Sequence, residues 1–167
     1  MAHLWMCFDM RRVLLCVLLL VAVPVSAGPV EDGLSAYDKG DYGAAVMLFR
    51  EAAAQGDAWA QYTLGAMYGS GQGVPQDYAE AVKWYRLAAA QGQDAAQSNL
   101  GGMYWLGRGV PEDSVRAHMW FNLAASQGNN LALTLRDYGT AAMSPAQIAE
   151  AQKLASECQA RNFKNCD

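Results

Sequence analysis

Apolar residues in the middle of the chain recur at helical spacing. Ala60, Leu64 and Tyr68 fall at i, i+4 and i+8 and lay one apolar stripe along a helix. Gly71 and Gly73 break that stripe, since glycine accepts the positive φ that a sharp reversal needs. Pro75 forbids continuation, and Asp77 is placed to cap a second helix. Ala81, Trp84, Leu87 and Ala88 then resume helical spacing, and Gly92 stands as a C-terminal glycine. Small residues at Gly65, Ala81, Ala88 and Ala89 let the two helices approach closely, with Trp84 and Tyr68 expected to fill the gaps between them. No stretch alternates like a strand over six or more residues, so the chain reads as all-α.

The pattern repeats. Residues 57–92 recur as 93–128, and 18 of the 36 positions are identical, from Ala60/Ala96 and Leu64/Leu100 through Trp84/Trp120 to Gly92/Gly128. A fixed period of this length marks a solenoid, in which neighbouring units bury one another's apolar faces. Such arrays work as binding surfaces more often than as catalytic pockets.

The run Ala60-x3-Leu64-Gly65-x2-Tyr68-x2-Gly71-x-Gly73-Val74-x2-Asp77-x3-Ala81-x2-Trp84-x3-Ala88-Ala89-x2-Gly92, with its copy 36 residues on, closely resembles the Sel-one-like repeat, a relative of the tetratricopeptide repeat. The resemblance implies a right-handed superhelical α/α solenoid of helical hairpins and a role in protein–protein contacts. It brings no catalytic residue and no cofactor.

The flanks read as partial repeats. Residues 41–56 match 77–92 at ten of sixteen positions, while Gly33 to Lys39 supplies only a short first helix with a shortened loop after it, so 28–56 forms an N-terminal partial repeat with a tetratricopeptide-like turn. After the full repeats at 57–92 and 93–128, residues 129–167 hold a degenerate first helix around Asn130 to Tyr138 and a last capping helix. Ser144-Pro145-Ala146-Gln147 opens that helix with a capping box and an early proline, and Ile148, Ala151, Leu154 and Ala155 continue its apolar face. Four hairpins are expected, two of them complete repeats.

Residues 1–27 stand apart. Arg11 and Arg12 precede the apolar run Val13 to Val23, and Pro24 with the small-residue pattern Val25-Ser26-Ala27 follows, which reads as a signal peptide cleaved after Ala27. The competing reading is an uncleaved anchor, but the run is short of the roughly 20 residues that span a bilayer. Cys16 lies too early in the run for a lipoprotein. Asp9 opposes the positive end of a leader, so Met10 makes a cleaner start than Met1. The expected location is the periplasm or the exterior, with the membrane met only transiently through the leader.

Charge narrows the partners. The chain holds 12 basic and 16 acidic residues; Arg11, Arg12 and Asp9 precede Gly28, so ten and fifteen remain and the net charge moves from -4 to -5. No basic stripe exists to neutralise phosphate, which argues against nucleic acid. Two cysteines follow the leader, Cys158 and Cys166, and an even pair close together in an exported chain reads as a disulfide. A loop of about nine residues would contribute roughly 2.5 kcal/mol, less any strain. Free thiols are the alternative. No Cys-x-x-Cys supports redox chemistry, and two cysteines do not complete a four-ligand zinc site.

Enzyme signatures fail. His118 is the single histidine after the leader, and it sits where the first repeat has Val82, as surface or packing residues do. No Gly-x-Ser-x-Gly or Ser-x-x-Lys is present. Gly69-Ser70-Gly71-Gln72-Gly73 imitates a phosphate loop, but it follows a helix and recurs at Trp105 to Gly109 as the turn of the repeat. Cysteine-rich Sel-one-like proteins bind or hydrolyse β-lactams, with cysteine pairs in successive repeats. Here the full repeats hold no cysteine, so that resemblance stops short.

What remains is an adaptor or scaffold with a binding face, or alternatively a structural component of a larger envelope complex. Trp59, Tyr62, Ala66 and Gly69 lie on a different side of the first helix from the apolar stripe, followed in the next repeat by Ala95, Ser98, Gly102 and Trp105. In the superhelix that the resemblance implies, this side is concave. Tryptophan and tyrosine concentrate at binding hot spots because they bury much area with few torsions. Trp59, Tyr62, Ser98 and Trp105 are therefore the candidate contacts for a protein or peptide partner. The alternative is that both tryptophans only pack against neighbouring loops and helices. Thr134 and Tyr138 are a more remote extension of the same face.

Overall fold

The computed structural model describes residues 28–166; the expected leader and its cleavage site lie outside the described residues. Among them are eight helices and no strand: α1 (Pro29–Asp38), α2 (Tyr42–Ala54), α3 (Ala58–Ser70), α4 (Tyr78–Ala89), α5 (Asp94–Leu106), α6 (Ser114–Ser126), α7 (Asn130–Thr140) and α8 (Pro145–Ala160). The expected short first helix is longer than read, because Pro29 supplies its first turn, where a missing N–H costs nothing. From α2 onward every helix is capped by a side chain. Asp41, Asp57, Asp77, Gln93, Asp113, Asn129 and Ser144 each accept from the backbone N–H three residues on, an interaction typically worth about 1 kcal/mol. Ser144 and Gln147 complete the capping box.

Helices α1–α2, α3–α4 and α5–α6 pair as hairpins, and α2 on α3 and α4 on α5 join them into a stack. The closest approach within each hairpin is a glycine on the first helix facing an aromatic ring on the second: Gly33 under Phe49, Gly65 under Tyr85, Gly101 under Phe121. A Cβ added to Gly65 would lie 2.6 Å from the Tyr85 ring, and one on Gly101 would lie 2.8 Å from Phe121. Tyr85, rather than the expected Trp84 and Tyr68, is the ring that fills the closest gap between α3 and α4. Tyr85 is 3% exposed, whereas Leu87 is 50% exposed. Trp84 is half-buried against the apolar cluster that α2 and α3 form. Tyr68 instead takes a hydrogen bond from Arg50 of the preceding hairpin, and Arg86 repeats this on Tyr104 at 2.8 Å.

A glutamine ladder ties successive hairpins. Gln61 donates to the carbonyl of Ala53 and accepts from Gln91; one repeat later, Gln97 donates to Ala89 and accepts from Gln127 at 2.7 Å. Gln97 is fully buried, so its amide is tolerated there because both ends are bonded. The turn glycines have a steric task as well. Gly73 and Gly109 hold φ of 73° and 72°, and a side chain on either would run into the carbonyl of Tyr42 or Tyr78 in the preceding repeat.

The expected fourth hairpin does not form. Both α7 and α8 pack on α6, with little contact between them. The position that follows Gly65 and Gly101 in register is Asp137, and the one that follows Tyr85 and Phe121 is Glu157, so the glycine–ring contact has no counterpart there. The tail beyond α8 turns back through Asn162, Phe163 and Asn165, all at positive φ. Cys158 and Cys166 are bonded to each other, and Phe163 lies against Gly92 of the turn after α4.

Candidate functional site

The first helices α1, α3, α5 and α7 share one side of the stack, and three connected hollows run along it. The first, of about 300 Å³, lies between α1 and α3 and is lined by Leu34, Tyr37, Trp59 and Tyr62. The second, about 330 Å³, spans α3, α5 and α7 between Ser98, Asn99, Leu106 and Leu135, and meets the first at Ala66. The third, about 260 Å³, is walled by Trp105, Leu106, Leu135 and Tyr138, and shares Gly102 with the second. Each hollow reaches one of the rings described above, namely Phe49, Tyr85 and Phe121 in turn. Because the facing helix carries glycine, the second layer of the stack forms part of the groove floor.

All four candidate contacts line this groove, in different ways. Trp59 is 37% exposed, and its ring meets Phe49 edge-on at 5.5 Å. Tyr62 stands tilted 6.1 Å from Tyr85. Trp105 lies edge-on to Tyr138 at 6.5 Å and presses on Gly139, so both tryptophans pack against neighbours while contributing to the groove wall. Ser98 differs from its expected role: it is 4% exposed, and its hydroxyl is buried without a hydrogen-bond partner, which makes it floor rather than rim. The periodicity reading missed Leu34, Leu106, Leu131 and Leu135. Leu106 and Leu131 are more than half exposed, as is Tyr138. Helical spacing on α1, α5 and α7 was the signal that could have found them.

The electrostatics of the floor are quiet. Burial pushes the Tyr85 hydroxyl up to about 12, partly offset by the hydrogen bond it accepts from Asn99. His118 lies behind the groove in the α6–α7 contact, with Nε2 3.1 Å from Thr140 Oγ1. That hydroxyl donates to the carbonyl of Arg136, so Nε2 carries the proton and buried Nδ1 is a bare acceptor. Burial, then the nearby Arg136 charge, lower the His118 pKa. No group of three or more potential metal ligands occurs among the described residues, and no helix among them is long and apolar enough to cross a membrane.

With this geometry in view, comparison with known proteins is decisive. The Sel1 repeat model matches residues 28–57, 60–93 and 94–129. The chain belongs to the Sel1 repeat family. The first match takes in α1 and α2, which places the N-terminal hairpin among the Sel1 repeats too. Among solved structures, a protective antigen of uropathogenic Escherichia coli strains that displays an SLR fold is similar at 31% identity and a TM-score of 0.77, over 83% of this chain and 30% of that one. A Sel1 repeat protein from Oxalobacter formigenes is similar at 33% identity and a TM-score of 0.63, over 67% of this chain and 45% of that one. This chain thus corresponds to less than half the length of either. No curated protein matches it. Sel1 repeats generally mediate protein–protein contacts.

Proposed function

We propose that this Sel1 repeat protein is an exported adaptor that holds a protein or peptide segment along its concave groove. The observation that carries this reading is the continuity of the three hollows, which line up large exposed apolar side chains on four successive first helices. Contiguous exposed apolar surface rimmed by polar groups marks interaction sites. Export rests on the apolar run before Ala27 and on the pairing of Cys158 with Cys166, a bond that persists in oxidising compartments. A binding role also fits the placement of His118, whose Nε2 is engaged by Thr140 inside a helix contact.

Affinity capture from envelope extracts tests the reading, with the Trp59→Ala/Trp105→Ala protein beside the wild type. If these rings anchor a partner, each truncation weakens capture by about 2 kcal/mol or more while the helical circular dichroism is retained. Unchanged capture by a folded double variant moves the site away from the concave face. Turnover of a β-lactam would replace the adaptor reading with an enzyme. Mass analysis of the exported protein checks the leader, with Gly28 the expected first residue.

A further inference from the structure

The groove is nearly free of charge, and the two charges it does hold are opposite in sign. Of the side chains lining the three hollows, only Asp38 and Arg108 are of acidic or basic type: Asp38 beside the α1–α3 hollow and Arg108 beside the one at α5. The other charged side chains include exposed helix-surface pairs such as Lys83–Glu80, Arg116–Asp113 and Lys153–Glu150. Neither Asp38 nor Arg108 is in an ion pair among the described residues. Arg108 is also held in place: it leaves the turn between Gly107 and Gly109 with its guanidinium 5.3 Å from the centroid of the Tyr78 ring.

We propose that the groove is read by a bipolar peptide segment, with a carboxylate over Arg108, a basic group beside Asp38 and uncharged aliphatic or aromatic residues between them. This rests on the adaptor reading above and specifies its ligand. Exposed charges at the edges of an apolar trough govern register and partner choice more than raw affinity. Two helix-to-helix steps of about 10 Å separate α1 from α5, so the charged groups of an extended ligand would stand roughly 20 Å apart. At ~3.3 Å per residue this is about six residues. The walls between supply the apolar part, with Trp59 and Tyr62 on one side of Ala66 and Leu106 and Leu131 on the other.

The test is selection of random twelve-residue peptides displayed on phage against the purified protein, repeated with Asp38→Lys/Arg108→Glu, in which both charges are inverted. Both positions are exposed, so the double variant should fold. The expected outcome is enrichment of peptides with one acidic and one basic residue about six positions apart, in one order along the chain for the wild type and in the opposite order for the variant. A synthetic wild-type winner should bind the inverted protein at least tenfold more weakly, and its order-reversed version should recover that loss. Winners without a charge pattern, but weakened by Tyr62→Ala, would overturn the bipolar reading and leave the groove standing. Winners insensitive to both sets of substitutions would overturn the adaptor reading as well. A protein that sediments as a dimer and becomes monomeric with Leu106→Glu would make a second copy the occupant and refute the proposal.

Discussion

Gly101 and Gly102 are neighbours on α5, and substituting each by alanine should have opposite effects. Both sit in the interior of the same helix, where alanine is favoured over glycine by about 0.8–1.0 kcal/mol. That gain is common to both sites and cancels in their difference. At Gly102 a Cβ meets nothing within 4 Å, so Gly102→Ala should stabilise the protein by up to about 1 kcal/mol. At Gly101 the same atom would lie 2.8 Å from both Cδ1 and Cε1 of Phe121 and 3.2 Å from the carbonyl of Ala117. Phe121 is 3% exposed, so the clash is relieved only by a shift of its ring toward the hollow it lines or by movement of one helix. Overpacking of this kind typically costs about 1–3 kcal/mol, which leaves Gly101→Ala neutral to about 2 kcal/mol destabilised. The difference between the two variants, about 1–3 kcal/mol, therefore reports the steric contact alone. Urea unfolding followed by circular dichroism at 222 nm measures it, provided the denaturant slopes agree. Phe121→Leu should relieve much of the penalty in a double-mutant cycle. Equal stabilisation by both alanines would refute the glycine–ring contact as the determinant of hairpin spacing.

Three further outcomes follow from the packing. Trp120→Ala should cost about 3–5 kcal/mol in urea titration, and Trp84→Ala clearly less, because Trp120 is buried and its copy in the preceding repeat is only half-buried; equal losses would contradict the asymmetry. Gln97→Leu should destabilise by about 1–3 kcal/mol, since the Ala89 carbonyl and the Gln127 amide lose a buried partner; a neutral result would mean that water replaces the ladder. His118 has a lowered folded-state pKa, so its contribution to stability is complete above the unfolded value near 6.5 and is lost as pH falls through the folded one, because the unfolded chain takes the proton first. Urea midpoints between pH 7.5 and 5.5 should show this decline, and His118→Gln should flatten it; an unchanged slope in that variant would assign the effect elsewhere.

The all-helical repeat was legible because its punctuation is chemical. Asp77 and Asp113 cap, and Gly71, Gly73, Gly107 and Gly109 adopt the positive φ that the turns require. The inner face was read less well. Identity between repeats favoured Trp84 and Leu87, whereas the buried face of α4 runs through Ala81, Val82, Tyr85, Ala88 and Ala89. Tyr85 escaped notice because its counterpart is Phe121: the packing conserves a ring, not a residue. The fourth unit was overextended for a related reason. Helical spacing at Asn130 to Tyr138 gave a helix, but only pairing reveals that the glycine and the ring are missing. The groove was legible as a face from Trp59, Tyr62 and Trp105. Ser98 lies deeper than the others, which spacing could not show: it assigns a direction on one helix and says nothing of how deep the adjoining helix leaves it.

Phe49, Tyr85 and Phe121 hold the hairpins together and also reach the floor of the groove through the glycine gaps. On the proposed groove reading, foldability and recognition are written at the same three sites. A substitution that reshapes the floor must first satisfy the glycine opposite it, whereas the rims on α3, α5 and α7 carry no such constraint. The alternation Phe, Tyr, Phe is the freedom that remains within that constraint. Of the three rings, only Tyr85 carries a hydroxyl, and it brings that hydroxyl to the central hollow without altering the geometry that stacks the units.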